Sequence, residues 1–276
     1  MKLTRTLTSL ITLVFILFFI KGVLAADDYI FVKKWGSHGE GDGQFDLPFG
    51  IAIDTSGYVY VVDVANHRIQ KFDSNGTFIT TWGFNGLSDG GFEQPTGIAV
   101  DPSGYVYVAD WANPRIQKFD SNGKFISKWG SMGDDNGQFN RSMNVAVDSS
   151  GFVYVLESHR IQKFDSNGAF IKKWGSFGEG DGQFKIPTEI TVDPEGYVFV
   201  VDRSNHRIQK FDANGTFVMK WGSRGWGDGQ FASPNSIARI IKSNTIGASK
   251  LPVPPTPGTP FHHKCSICIK FLNPMV

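Results

Sequence analysis

Three histidines stand immediately before an arginine in nearly identical strings of this chain, at His67, His159 and His206. Three histidine nitrogens form the protein ligand set of some catalytic zinc sites, so these residues suggest a catalytic metal site. A fourth copy of the string, "NPRIQKFD", has Pro114 in place of the histidine. Because that copy lacks a metal ligand at this position, we favour a structural role for the histidines and keep the zinc enzyme as the alternative.

A second group of metal-ligand residue types lies near the C-terminus, at His262, His263, Cys265 and Cys268. Structural zinc sites usually draw pairs of ligands from two separated segments, and four ligands within seven positions strain a tetrahedral shell. The preceding string "LPVPPTPGTP" is too rich in proline to join a sheet. We therefore expect no metal and no cofactor, and we predict that residues 242–276 form a disordered tail.

Carboxylates and arginines recur as pairs at the junction of two apolar segments. A tight hairpin would place Asp63 opposite Arg68, and the same arrangement recurs in three further copies, Asp110 with Arg115, Glu157 with Arg160, and Asp202 with Arg207. A single substrate rarely needs the same group from every copy of a repeat. We therefore predict that the four pairs are structural.

The elements that position these residues form a unit that recurs along the chain. Trp-Gly pairs mark it at spacings of 47, 47, 45 and 47 residues, starting at Trp35. Each unit contains four apolar segments, first seen at 50–54, 58–63, 68–73 and 77–83, with turns such as "TSG" and "SNG" between them. Alternation in the third segment places Ile69 and Phe72 on opposite faces, so each sheet needs a neighbour on both sides. A β-propeller of four-stranded blades satisfies this requirement, and the fold class is predicted to be all-β.

The string "NHRIQKFD", its three counterparts, the "GQF" lead-ins and the "GYVYVVD" segment together resemble the NHL repeat. The resemblance covers residues 29–241 and implies a propeller, usually of six blades, that most often serves as a binding module. The family it resembles also includes a zinc-dependent lyase, so a zinc-dependent lyase or hydrolase on a propeller scaffold is the alternative function. Four complete blades are present, and the end strings at 29–36 and 235–241 match the outermost and innermost strands of a partial one. The alternatives are an open arc, a ring completed by a second copy, and a truncated, non-functional fragment.

Function is expected where the copies differ, on the face formed by the turns between second and third strands. In the third unit this turn shrinks to Ser158-His159. At the start of the innermost strand, Asn144 and Glu189 replace the glycines of the first two units and are predicted to project into the central channel. The candidate binding residues are Asn66, His67, Trp111, Asn113, Asn144, Ser158, His159, Glu189, Arg203, Asn205 and His206.

The N-terminus has the composition of a secretory signal. Lys2 and Arg5 precede an apolar run at 10–20, which is too short to cross a bilayer, and Ala25 provides a small residue for cleavage. We predict a signal peptide at 1–25, with an uncleaved membrane anchor as the alternative, and a secreted or cell-surface protein. Lys plus Arg, 27, nearly equals Asp plus Glu, 26, which disfavours nucleic acid as a partner.

The sequence therefore predicts an exported propeller that binds a protein or carbohydrate ligand through its top face, and it favours a binding protein over an enzyme. Trp111 is a candidate anchor because an indole ring packs well against a protein partner or a sugar ring. A dimer that completes the ring is also predicted as an option.

Overall fold

The computed structural model describes residues 33–140 and 143–237. It contains four antiparallel sheets of four strands, together with two-residue strands in the segments that lead into the first and the last of these sheets. The strands are β1 (Ser37–His38), β2 (Gln44–Phe45), β3 (Pro48–Ile53), β4 (Val59–Asp63), β5 (Arg68–Phe72), β6 (Phe78–Trp82), β7 (Pro95–Val100), β8 (Val106–Asp110), β9 (Arg115–Phe119), β10 (Phe125–Trp129), β11 (Met143–Val147), β12 (Val153–Glu157), β13 (Arg160–Phe164), β14 (Phe170–Trp174), β15 (Ser176–Phe177), β16 (Gln183–Phe184), β17 (Pro187–Val192), β18 (Val198–Asp202), β19 (Arg207–Phe211) and β20 (Phe217–Trp221). A 3-10 turn, η1 (Arg203–Asn205), lies between β18 and β19.

Each sheet is one blade of a propeller, and its strands lie in chain order from the centre outwards. The blades are β3 to β6, β7 to β10, β11 to β14 and β17 to β20, called the first to fourth blades below. The inner strands β3, β7, β11 and β17 pack side by side in that order, and among the described residues β3 and β17 have no comparable contact. The all-β propeller and its four complete blades are confirmed. Six blades are not found, because the described ranges hold only four copies of the four-stranded unit.

The core lies between blades. Tyr60 and Val62 on one face of β4 pack with Val106 and Val108 of the second blade, while Val59 and Val61 point to the other face. In β5 likewise, Ile69 belongs to the cluster shared with the second blade and Phe72 to the opposite one. All five residues of β4 are buried, as the predicted two-sided burial requires.

Two Asx turns close each blade at the end opposite the turn between its second and third strands. In the first blade the Asp54 carboxylate accepts hydrogen bonds from the amides of Ser56 and Tyr58, at 2.9 and 3.0 Å. Asp73 accepts in the same way from the amides of Asn75 and Thr77, at 2.8 Å each. These turns explain the recurring "SNG" strings.

The strands predicted at the two ends are only partly within the described residues. Residues 33–36 and 234–237 are not strands, and the rest of both predicted strands lies outside the described ranges. The predicted signal peptide at 1–25 and the tail at 242–276, with its His and Cys residues, also lie outside them. Within the described ranges no helix has the length and apolar character needed to cross a membrane.

Candidate functional site

One side of the propeller, called the loop side below, carries the turns at 64–67, 111–114, 158–159 and 203–206 and the segments that connect successive blades. Each connecting segment starts at the end of an outer strand and ends at the start of the next inner strand on this side. Backbone hydrogen bonds tie turn to segment, as from the Ala65 amide to the Asp46 carbonyl, 3.1 Å, and from the Ser204 amide to the Lys185 carbonyl, 3.0 Å. The candidate residues named from the sequence lie on or beside these turns.

The first blade shows what its charged pair does. The Asp63 carboxylate is fully buried and accepts hydrogen bonds from Arg68 Nε at 2.8 Å and from the Asp46 amide at 2.7 Å. Arg68 Nη2 in turn donates to the carbonyl of Gln44 at 3.0 Å. Gln70 Nε2 also donates to that carbonyl, at 2.6 Å. The pair therefore fastens the connecting segment to its own blade.

All four predicted pairs are present, and every carboxylate in them is fully buried. The Nε to carboxylate distances are 2.8, 3.1, 2.6 and 2.8 Å from the first blade to the fourth. In the second blade, burial raises the pKa of Asp110 to about 6, although the Glu93 amide and Arg115 favour its charged form. A contact that recurs in each blade and binds main chain is structural in character.

The third blade compensates for its shorter turn with a longer acid. Glu157 replaces aspartate, and its Oε1 accepts hydrogen bonds from Arg160 Nε at 2.6 Å and from Gln162 Nε2 at 2.7 Å. Its Oε2 accepts from the Asn140 amide at 2.5 Å. Ser158 adopts a left-handed conformation, with φ of 45°, to close the two-residue turn. The additional methylene of glutamate therefore lets the same network form without an asparagine in the turn.

The three histidines do not converge. His67 Nδ1 accepts a long hydrogen bond from the Gln94 amide, 3.5 Å, and His206 Nδ1 accepts one from the Ser233 amide, 3.1 Å. The His159 ring instead meets the edge of Phe177, with centroids 6.2 Å apart. Each histidine thus contacts the connecting segment that follows its own blade. No group of three or more His, Cys, Asp or Glu residues arranged to hold a metal occurs in ranges 33–140 and 143–237.

The candidate asparagines mainly support the turns. Asn66 Nδ2 donates to Asp63 at 2.9 Å and to the Gly39 carbonyl at 3.0 Å, and Asn205 repeats both contacts in the fourth blade. The Asn113 side-chain oxygen accepts a hydrogen bond from Arg115 Nε at 3.1 Å. Trp111 is half-buried and its amide donates to the Gln94 carbonyl at 3.3 Å, whereas Arg203 is exposed.

A polar chain occupies the predicted channel-facing positions of the third and fourth blades. The Glu189 carboxyl lies close enough to the side chains of Asn144 and Ser236 for both to favour its charged form. Burial raises the pKa of Glu189 to about 8, because the charged form loses more solvation than these two neutral partners restore. In the first two blades the same positions are glycines, and a Cβ at Gly97 would lie 2.8 Å from Asn144 Cα. The inner strands of the first two blades therefore have glycine and closely packed backbone at these positions, whereas those of the third and fourth blades carry a polar cluster that includes a titratable carboxyl.

Two members of this region were missed from the sequence as site residues. Ser236 occupies the position one repeat after Glu189, so the 47-residue period would have identified it. Thr188 precedes Glu189 in β17, and its buried hydroxyl has no hydrogen-bond partner within the described part of the chain.

The loop side also exposes large apolar side chains that the sequence did not single out. They lie in the connecting segments or at the loop-side end of β3, and each is exposed over 50% to 79% of its surface. They are Leu47, Phe49, Phe84, Leu87, Met132, Phe177, Ile186 and Trp226. Leu47 and Ile186 each stand before a proline with φ of 52°, where the other units have Gln94 and Ser233. The apolar residue at this turn position is the sequence feature that could have identified Leu47 and Ile186.

The described geometry agrees with a match to a known repeat family. The model of the family described as NHL repeat matches residues 45–72, 92–119 and 184–211. These ranges cover the end of a connecting segment and the first three strands of the first, second and fourth blades. The third blade, with its shortened turn, lies outside the three matched ranges.

Curated relatives match short parts of the chain. The E3 ubiquitin-protein ligase TRIM71 of Rattus norvegicus is 43% identical over 47 residues, 17% of this chain and 6% of the ligase. Protein lin-41 of Caenorhabditis elegans is 43% identical over 47 residues, covering 17% of this chain and 4% of its own length. Protein brain tumor of Drosophila melanogaster is 38% identical over 58 residues, covering 21% and 6%. The chain thus matches about one-twentieth of the length of these relatives.

Solved structures with low sequence identity resemble part of the chain. A nidogen/laminin complex has 23% identity and a TM-score of 0.48 over 64% of each chain. A streptogramin B lyase has 16% identity and a TM-score of 0.49, covering 63% of this chain and 54% of the lyase chain. Neither likeness bears on function. The chain therefore contains NHL repeats at three positions, and the structure arranges them, with the third blade, as a β-propeller whose four blades share the recurring pair of a carboxylate and an arginine.

Proposed function

We propose that this NHL propeller is an exported scaffold that binds a protein partner through its loop side. The observation that carries the proposal is the set of eight exposed apolar side chains on that side. Large exposed apolar groups concentrated on one face of a soluble domain are typical of interaction sites. The half-buried Trp111 lies on the same side and supplies the kind of residue that anchors interfaces.

Backbone strain at two of these residues supports the same surface. Leu47 and Ile186 adopt left-handed φ angles of 52°, a region that disfavours ordinary side chains and β-branched ones most of all. Asparagine adopts this region more readily than either residue. An exposed isoleucine held there costs folding free energy and gains no burial inside the chain, and such strain is typical of functional surfaces. A partner that buries Ile186 would offset that cost.

The test compares variants that separate binding from folding. The purified protein is immobilised and exposed to the secreted and surface fraction of its own cells, and bound proteins are identified. The double variant Leu47→Asn with Ile186→Asn relieves strain, so we expect it to melt at or above the wild-type temperature and to lose the captured partner. Trp111→Ala is expected to weaken capture as well.

The matched control is Ile171→Asn, which removes an exposed isoleucine from the outer strand β14, away from the loop side. It should capture the same protein as the wild type. Equal capture by the double variant and the wild type would refute the loop-side proposal, and so would equal loss in the control.

Export is supported by the basic, apolar and small-residue pattern of residues 1–25. We expect the mature protein to begin at Ala26 and to appear in the medium or on the cell surface. N-terminal sequencing of protein recovered from each fraction tests this. An intact Met1 on cytosolic protein would contradict it, and an intact Met1 in the membrane fraction would favour the anchor.

A further inference from the structure

Successive blades are joined by a recurring set of contacts. At the first joint, Trp82 at the end of one outer strand packs against Phe119 of the next blade, with ring centroids 6.0 Å apart. Lys71 Nζ donates a hydrogen bond to the Ser121 carbonyl in a turn of that next blade, at 2.9 Å. One face of each joint thus contributes an indole and an ammonium group, and the other contributes a phenyl ring and a turn.

The second and third joints repeat this arrangement. The Trp to Phe centroid distances are 5.9 Å and 6.3 Å, for Trp129 with Phe164 and Trp174 with Phe211. Lys118 and Lys163 donate to turn carbonyls of the next blade at 2.8 and 2.9 Å. The same two faces therefore recognise each other three times within the chain.

The fourth blade presents the indole and ammonium face with no following blade in the described ranges. This trailing face consists of Phe199, Lys210 and Trp221. Trp221 is exposed, whereas the three earlier tryptophans of the joints are half-buried. Phe199 and Lys210 are half-buried, whereas their counterparts in the first three blades are buried. Lys210 Nζ stands 3.5 Å from the centroid of the Tyr197 ring in its own blade.

The opposite face, on the first blade, is occupied by the chain's own residues 33–36. Trp35 packs against Phe72 with centroids 6.4 Å apart, and a Cβ at Gly76 would lie 2.6 Å from its indole. Lys33 Nζ donates to the Asn75 carbonyl at 2.6 Å. Residues 33–36 therefore provide the same two groups, indole and ammonium, that a preceding blade provides at each internal joint.

We propose that the trailing face docks onto the first blade of a second copy, where Trp221 displaces Trp35 from the site formed by Phe72 and Gly76. The second copy is the favoured occupant because its first blade carries the phenyl ring and turn that this face recognises at three internal joints. Such a contact joins two different surfaces, so it closes a ring of two copies or continues into longer arcs. Trp35 is an intramolecular competitor for it.

The experiment measures self-association of the full chain by sedimentation velocity over a range of concentrations. Removing the competitor raises the fraction of chains with an open first blade, so Trp35→Ala should associate at a concentration at least about tenfold lower than the wild type. Trp221→Ala should remain monomeric throughout the range. The double variant Trp35→Ala with Trp221→Ala should also remain monomeric.

Two further variants keep the test independent of folding and of the loop-side proposal. Trp226→Ala removes an exposed tryptophan from the loop side and should associate as the wild type does. Lys33→Ala loosens residues 33–36 without altering the core and should shift association in the same direction as Trp35→Ala. Unchanged association in Trp221→Ala overturns the proposal. Loss in Trp221→Ala without any gain in Trp35→Ala also overturns it, because two trailing faces would then be meeting each other.

Discussion

Two sets of polar side chains lie near the loop-side end of the blades, and they differ in how strictly they repeat. The buried ion pairs occur in all four blades with nearly the same distances, even where Glu157 replaces aspartate. The channel-facing positions instead change from Gly50 and Gly97 to Asn144 and Glu189. The first set lies inside each blade and the second set faces the neighbouring inner strand.

The difference follows from what each set must satisfy. An ion pair fastens a connecting segment to its own blade, and since that task is the same in each blade, the same residues perform it. The channel-facing positions meet different neighbours, as shown by Gly97 against the backbone of Asn144 and by Glu189 against Asn144 and Ser236. Asymmetry, and with it a titratable group, arises at these positions.

Removing one repeated carboxylate should have the largest effect. Asp202 is fully buried and accepts hydrogen bonds from Arg207, Asn205 and the Lys185 amide, each at 2.8 Å. Asp202→Asn leaves the buried arginine without its counter-charge and should lower the free energy of unfolding by about 3 to 5 kcal/mol, measured by urea titration.

The matched control for this change is Asp89→Asn. It breaks the half-exposed pair with Lys128, in which Nζ and Oδ1 are 2.6 Å apart. Exposed pairs contribute little, so its cost should stay below about 1 kcal/mol. Similar costs in the two variants would show that the repeated pairs do not hold the connecting segments.

The contribution of Glu189 to the free energy of unfolding should depend on pH. Burial raises the pKa of Glu189 from 4.5 to about 8, so the folded state binds more protons than the unfolded state between these values. Stability from this group is present below pH 4.5 and is lost as pH rises through about 8, by up to about 1.4 kcal/mol per pH unit.

Glu189→Gln keeps the cluster neutral at every pH. The free energy of unfolding of this variant minus that of the wild type should therefore rise with pH, as measured by urea titration from about pH 5 to 9. Other titrating groups are common to both proteins and cancel in the difference. A difference that is flat across this range would mean that Glu189 is ionised in the folded protein.

The sequence predicted what is local and repeated. The 47-residue period, the four strands of each unit and the ion pairs follow from alternation and short turns, and the strands begin and end within two residues of the predicted segments. The direction of Asn144 and Glu189 towards the channel stays a prediction, whereas their place as polar departures from glycine followed directly from the sequence. Their proximity to each other did not, because it depends on how closely β11 and β17 approach each other.

The remaining differences arise from contacts between distant segments. Histidine occupies one sequence position in three units, yet His159 contacts Phe177 whereas His67 and His206 accept backbone hydrogen bonds. The shortened turn changes the conformation that precedes His159. Likewise, Trp35 packs on the first blade as the tryptophan of a preceding blade does at each internal joint, although residues 33–36 form no strand. Neither result can be derived from the period of the repeat.

The inner strand of the second blade packs closely against that of the third blade at Gly97. In Gly97→Ala the new Cβ would meet backbone atoms, Asn144 Cα at 2.8 Å and Val145 N at 2.9 Å. Because the backbones of two blades must move apart, we expect the free energy of unfolding to fall by about 1 to 3 kcal/mol, as measured by urea titration. Gly227→Ala is the control, since its nearest neighbour is the Gln230 side-chain oxygen at 3.1 Å, which can move. Equal losses would argue against close packing at the channel.

The smallest effect is expected at a buried position where three blades have tyrosine and the fourth has phenylalanine. Tyr107 is buried, and its hydroxyl donates to Asp101 at 3.0 Å, whereas the fourth blade has Phe199 in its place. Tyr107→Phe should cost about 1.5 kcal/mol in urea titration, the lower end for a hydrogen bond to a charged acceptor, because Asp101 keeps two backbone hydrogen bonds and the ring stays packed. Phe199→Tyr should recover less than that amount, since its ring is only half-buried and water competes for the hydroxyl. A larger gain from Phe199→Tyr than the loss from Tyr107→Phe would mean that the fourth blade is as well enclosed as the second, and that its trailing face is already covered.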